Sequence, residues 1–169
     1  ADGLTIGNVT LFMALAMVAG AFLYGPLDTL FRTRKWVVVG GNVLALAVIL
    51  SLALWPAPGI FSATVHFVLI GVLGSAYGLL MAHGRAFMPA HLTGRGMTLL
   101  NFYSIGGVGI AQFATGAVYS ASIVPGDPGA GYAVLFGFYA ALIAVSLAVY
   151  LFARDAKPEV ATAPSAAAR

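Results

Sequence analysis

The chain has no cysteine, and its 169 residues include only five acidic residues, eight basic residues and three histidines. Without thiols there is neither a disulfide framework nor a thiolate metal site. Charged residues make up 8% and apolar ones 61%, and the mean hydropathy is +0.98. Soluble domains carry about a quarter charged residues, so a soluble globular domain is excluded. The equipment of a membrane enzyme is also missing, since that needs paired carboxylates, a histidine-rich metal cluster or an activated nucleophile. The histidines stand apart at His66, His83 and His91, with no carboxylate partner in their segments. No catalytic residue, metal or cofactor is expected. Gly106, Gly107 and Gly109 lie in the middle of an apolar run, not after a strand, and so do not read as a phosphate-cradling loop. Eight bases spread over separate connectors and a tail leave no nucleic-acid footprint.

What is present is a set of five uncharged segments of 19 to 25 residues: Ile6–Tyr24, Trp36–Trp55, Ile60–Ala82, Met97–Ala121 and Gly131–Phe152. An α-helix rises about 1.5 Å per residue, so each segment can cross about 30 Å of hydrocarbon. Strands of a closed barrel would be about ten residues long and would alternate apolar with polar side chains, which these do not. The expected fold is an all-α membrane protein with five transmembrane helices in residues 1–155. Residues 156–169 are rich in alanine and proline and are expected to be a disordered cytoplasmic tail. No basic leader precedes the first segment, and the chain does not begin with Met. It therefore reads as a piece of a longer protein, or a processed one.

Charge supplies the orientation. In a five-helix arrangement Arg32, Arg34, Lys35, Arg85, Arg95, Arg154, Lys157 and Arg169 all fall on one side, and only Asp2 and Asp127 on the other. Loop residues rich in Lys and Arg stay cytoplasmic. The reading is a multi-pass protein of a cell inner membrane, with the N-terminus of this piece outside and the C-terminus in the cytoplasm. Outer turns are expected at Pro56, Pro58 and Gly59, and at Pro125 to Gly129.

Polarity inside the spans is patterned. At 100° per residue Asn101, Gln112 and Tyr119 lie within about 20° of one direction, flanked by Ser104 and Thr115. Such a stripe needs protein or water beside it; helix-to-helix hydrogen bonding is the plain alternative to a solute-facing role. Gly109, Gly116 and Ser120 form a small-residue face beside it, and Gly71, Gly74, Ser75 and Gly78 another in the third span, each suited to close helix approach. His66 reads either as a neutral imidazole satisfied by a neighbour or as a solute or proton contact. Tyr77, eleven residues on, points nearly the same way and could line the same cavity. The second and fifth spans are apolar nearly all round and are expected to face lipid.

Between the first two spans, Gly25-Pro26 reads as a sharp turn. Asp28 would then approach the positive end of the next helix, with Arg32, Arg34 and Lys35 pairing with it or with lipid phosphates. Gly25-Pro26-Leu27-Asp28 followed by Arg32-Thr33-Arg34-Lys35 resembles the cytoplasmic loop signature of the major facilitator superfamily, in its weaker second copy. Arg85 to Pro89, continuing through Gly94-Arg95-Gly96 to Asn101, resembles that family's loop and helix 11. The resemblance implies helices 8 to 12 of a six-helix half, with the N-terminal half missing. It further implies a secondary transporter moving a small polar or anionic solute by alternating access. Asn101, Gln112, His66 and Tyr77 become the expected solute-facing residues, and Asp28, Arg32, Arg34, Lys35, Arg85 and Arg95 the gating ones. His83 and His91 are expected in a solvated basic loop. The implied partners are the solute, the lipid bilayer and the missing half or a partner membrane subunit. The alternative is a non-transporting half-fold that serves as a scaffold or assembly factor.

Overall fold

Asp2 begins the first helix by accepting the Thr5 backbone N–H at 3.1 Å, and the Thr5 hydroxyl together with that N–H holds its carboxyl below its ordinary value. In this computed structural model, residues 2–56 and 59–157 are described. They form α1 (Gly3–Phe31), α2 (Lys35–Leu54), α3 (Ile60–Leu73), α4 (Tyr77–Arg85), α5 (Thr93–Ala121) and α6 (Pro128–Leu151). A 3₁₀ turn at Gly74–Ala76 joins α3 and α4 into one rod, and another at Ala90–Leu92 precedes α5. Among the described residues there is no strand. Pro58 of the outer turn and the tail from residue 158 onward, Arg169 included, lie outside the described residues.

Four stretches are long and apolar enough to cross a membrane: Gly3–Phe31, Lys35–Leu54, Ile60–Arg85 and Gly129–Leu151. The chain is thus a helical protein of the membrane-embedded type. Helix α5 is long enough, with 29 residues, or about 44 Å. It is less apolar than the other four, because Asn101, Gln112 and a series of glycines and hydroxyls interrupt it. Apolar side chains cover the outside of the bundle; Phe113 is 87% exposed and Phe61 82%, as expected where lipid, not water, is the solvent.

The first connector differs from the expectation. Gly25 and Pro26 do not turn the chain; both lie inside α1, which runs on to Phe31. Proline removes a single N–H from the ladder, and a helix packed on neighbours tolerates that loss. The reversal comes at Arg32, in the left-handed region at φ 53°, whose N–H returns to the Asp28 carbonyl. Asp28 therefore belongs to the last turn of α1 and does not cap α2. The start of α2 is instead held by Thr33 Oγ1, which accepts the Trp36 N–H at 3.2 Å, and by Asp155 Oδ1, which accepts the Lys35 N–H at 3.0 Å.

A second correction concerns the middle of the bundle. Helix α2, expected to face lipid, supplies five of the ten buried apolar residues among those described: Val38, Val39, Ala45, Ile49 and Leu52. It packs on α6 and α3, while α1 packs on α3. Glycine decides the second pairing. A Cβ on Gly20 would come 2.5 Å from the Val72 carbonyl, and one on Gly71 2.8 Å from the Met13 carbonyl, so the α1 and α3 backbones meet where neither has a side chain. Ser75 fastens the contact by donating to Met17 O at 2.9 Å and to Gly71 O at 2.7 Å. Gly74, Gly78, Gly109 and Gly116, read as close-approach positions, have open space where a Cβ would stand.

Candidate functional site

The four residues expected to face a solute are divided between two places. Tyr77 Oη donates to Asn101 Oδ1 at 2.5 Å, tying α4 to α5. Both are exposed, as is Gln112 further along α5. His66 stands elsewhere, half-buried between α3 and α2. Its Nδ1 lies 2.6 Å from the Ser62 carbonyl and its Nε2 3.0 Å from Ser51 Oγ. A carbonyl only accepts, so Nδ1 donates to it, while the Ser51 hydroxyl beside Nε2 donates to the Val48 carbonyl at 2.7 Å. Asn101 and Tyr77 form one polar group, Gln112 extends it along α5, and His66 does not join them.

Along the α5 stripe Asn101 is held by Tyr77, and Gln112 stands exposed. None of the helix's residues is buried. Thr115 turns toward α6, where its Oγ1 lies 3.0 Å from Tyr139 Oη, and Tyr119 stacks against Tyr132 with centroids 5.3 Å apart. The Gly106, Gly107, Gly109 and Gly116 positions are open. One side of α5 is attached to α6 and the other is presented.

At the basic end the chain gathers three connectors. Arg34 Nε donates to Asp28 Oδ2 at 3.1 Å, with the carboxylate side chain 13% and the guanidinium side chain 20% exposed, and Thr29 Oγ1 donates to Asp28 Oδ1 at 3.1 Å. Thr33 Oγ1 donates to Asp155 Oδ2 at 2.6 Å. Lys35 Nζ donates to the Leu151 carbonyl at 2.7 Å, a cation placed on the negative end of α6. Burial pushes the Asp155 carboxyl up, but the Thr33 hydroxyl, the Lys35 and Arg34 amides and the nearby His83 together outweigh it, and its pKa lies below the usual value.

His83 does not lie in a solvated loop: it is 3% exposed. Its Nε2 donates to the Arg154 carbonyl at 2.9 Å, and its Nδ1 accepts from Tyr150 Oη at 2.5 Å. Phe87 sets its edge against the same ring, with centroids 5.3 Å apart. His83 thereby locks the end of α4 to the end of α6. Of the residues expected to gate, Asp28, Arg34 and Lys35 are drawn into this knot, while Arg32, Arg85 and Arg95 are exposed. The partner of Asp28 is Arg34, not either base of the second connector. Asp155 and Tyr150, which sequence reasoning missed, complete the knot. Their partners are 67 to 122 residues away, and no local spacing signals a contact at that range.

No family model, curated protein or solved structure matches the chain.

Proposed function

We propose that this chain is the C-terminal part of a secondary active transporter, with the presented side of α5 lining the pathway of a small polar or anionic solute. The observation that carries the reading is α5 itself, a 29-residue helix with no buried residue, which presents exposed Gln112 and open glycines beyond the Tyr77–Asn101 bond. Polar groups at membrane depth must face protein or water. In inverted-repeat transporters such faces line a midplane cavity between two halves. The loop resemblance to the major facilitator superfamily supplies the second half and the alternating-access cycle. In that cycle the Asp28–Arg34 pair and the knot around His83 and Asp155 belong to the state that is closed at the basic end, and opening breaks them.

These 169 residues hold no cysteine, so with any cysteine elsewhere in the full-length protein replaced, an introduced thiol is the only one. In the full-length protein in membrane vesicles, Gln112→Cys and Asn101→Cys are expected to react with a membrane-impermeant thiol reagent, at rates that change when a proton or solute gradient is imposed. Val145→Cys, on the apolar surface of α6 and 64% exposed, is expected to stay unreactive. Position 112 as inert as position 145 would overturn the reading. The same open glycine face also suits a foreign membrane subunit, so the second reading is a non-transporting half-fold scaffold. In that case position 112 is protected by a stoichiometric partner and is indifferent to gradients.

A further inference from the structure

One cavity has no place in the transport reading. It is a groove of about 440 Å³ between α1 and α2, floored by Val72 and Leu73 of α3. It lies where α1 and α2, each packing against α3, leave space between them, with Tyr24 bridging the gap. The phenol of Tyr24 donates to the Leu73 carbonyl at 3.0 Å and occupies the space a Cβ on Gly41 would need. Gly40, also on the wall, has nothing within 4 Å of a Cβ position. Below the bridge the walls are apolar, with Leu23, Leu27, Phe31, Val37 and Leu44 among them.

From Trp36 at the basic end to Leu44 the groove runs about 12 Å along α2, and its apolar walls suit a hydrocarbon chain. The mouth is charged. Phe31, Thr33 and Trp36 line it, exposed Arg32 sits between the first two, and the Lys35 ammonium stands 5.2 Å over the Trp36 ring. The three bases of the α1–α2 connector, Arg32, Arg34 and Lys35, have Asp28 and Asp155 as the carboxylates beside them among the described residues. Both of those carboxylates already accept hydrogen bonds, from Thr29 and Arg34 and from Thr33 and Lys35. A Trp at headgroup level beside surplus bases matches a lipid whose head is anionic.

We infer that the α1–α2 groove is a binding site for one anionic phospholipid of the phosphatidylglycerol type, its acyl chain against Leu27, Gly40 and Leu44 and its phosphate among Arg32, Lys35 and Trp36. The site holds whether or not the protein transports anything. Native mass spectrometry of the full-length protein, equilibrated with phosphatidylglycerol or with phosphatidylcholine of identical chains, tests it. One phosphatidylglycerol per chain is expected to be retained, at least about fivefold over phosphatidylcholine, the preference that a single base near the surface supplies. Arg32→Gln should reduce that preference by about fivefold and leave total binding of the two lipids similar. Gly40→Leu places a side chain in the groove without a clash and should abolish retention of both, while Gly40→Ala keeps it. Equal retention of the two lipids by the unaltered protein would overturn the inference, and so would an undiminished adduct in a folded Gly40→Leu variant. A copurifying protein that cross-links at position 36 would do the same.

Discussion

Helices α2 and α5 invert what their compositions suggest. Helix α2 is apolar nearly throughout and looks like a lipid-facing support, yet Val38, Val39, Ala45, Ile49 and Leu52 make it the centre of packing. Helix α5 carries Asn101, Gln112 and many small residues, looks like the inner element, and buries nothing. The difference teaches that inside a membrane the hydrophobic effect does not sort helices by polarity, because lipid tails are as apolar as leucine. Association depends on close packing and on hydrogen bonds that cross between helices. Helix α2 has both, through its contacts with α6 and α3 and through the His66–Ser51 bond. Helix α5 has few, chiefly the Tyr77–Asn101 bond to α4 and the Thr115–Tyr139 contact with α6.

The contrast breaks most openly by truncation. Leu52 is 2% exposed and Phe113 87%. Leu52→Ala is expected to cost about 2–5 kcal/mol as packing contacts are lost to a cavity, whereas Phe113→Ala, a larger deletion, should stay within about 0.5 kcal/mol. Thermal unfolding of the purified protein in one detergent measures both. Equal losses would mean that α5 is packed in solution and that its unpartnered state is wrong. A finer version uses glycine. Gly20→Ala forces a methyl against the Val72 carbonyl and should cost about 1–3 kcal/mol by overpacking. Gly109→Ala, with nothing within 4 Å, should be neutral or slightly stabilising, because alanine is the better helix former. If Gly109→Ala is neutral in this chain alone but harmful in the full-length protein, the missing partner of α5 is located.

Those glycines also show what could be read before the fold was seen. The helices were legible because an uncharged run of some 20 residues has few other fates. Periodicity places Gly109 and Gly116 on one face, as it does Gly71 and Gly74, but it cannot say whether a neighbour stands there. Gly71 meets the α1 backbone and Gly74 meets nothing, although they share a segment and a spacing rule. Gly25-Pro26 was misleading for a related reason. The pair is a strong turn signal in water, whereas in the packed α1 the loss of one donor does not end the helix, and the turn waits for Arg32. The polar stripe on α5 was legible as a direction, and the Tyr77–Asn101 bond lies at its inner end. The separation of His66 from that stripe was not legible, because it depends on which side of α3 meets α2.

The smallest expected effect sharpens the same comparison at the basic end, where α2 is anchored and α5 is not. Asp155 caps α2 through the Lys35 N–H and receives the Thr33 hydroxyl, and its pKa is depressed in the folded state. A carboxyl whose folded pKa lies below its unfolded value, about 3.9, adds stability above that value and loses it as the pH falls through the folded pKa. Asp155→Asn keeps the shape but gives up the charge and one acceptor. It should therefore unfold more easily than the unaltered protein at pH 7, by less than about 1 kcal/mol because the site is open to solvent and salt. As the pH falls from about 4 through the depressed folded pKa the two proteins should converge, since the unaltered carboxylate becomes neutral too. Arg95→Gln, at the exposed start of α5, should show no such pH-dependent gap. A gap between Asp155→Asn and the unaltered protein that persists unchanged at pH 3 would assign the effect to lost shape and remove the carboxylate from the anchoring of α2.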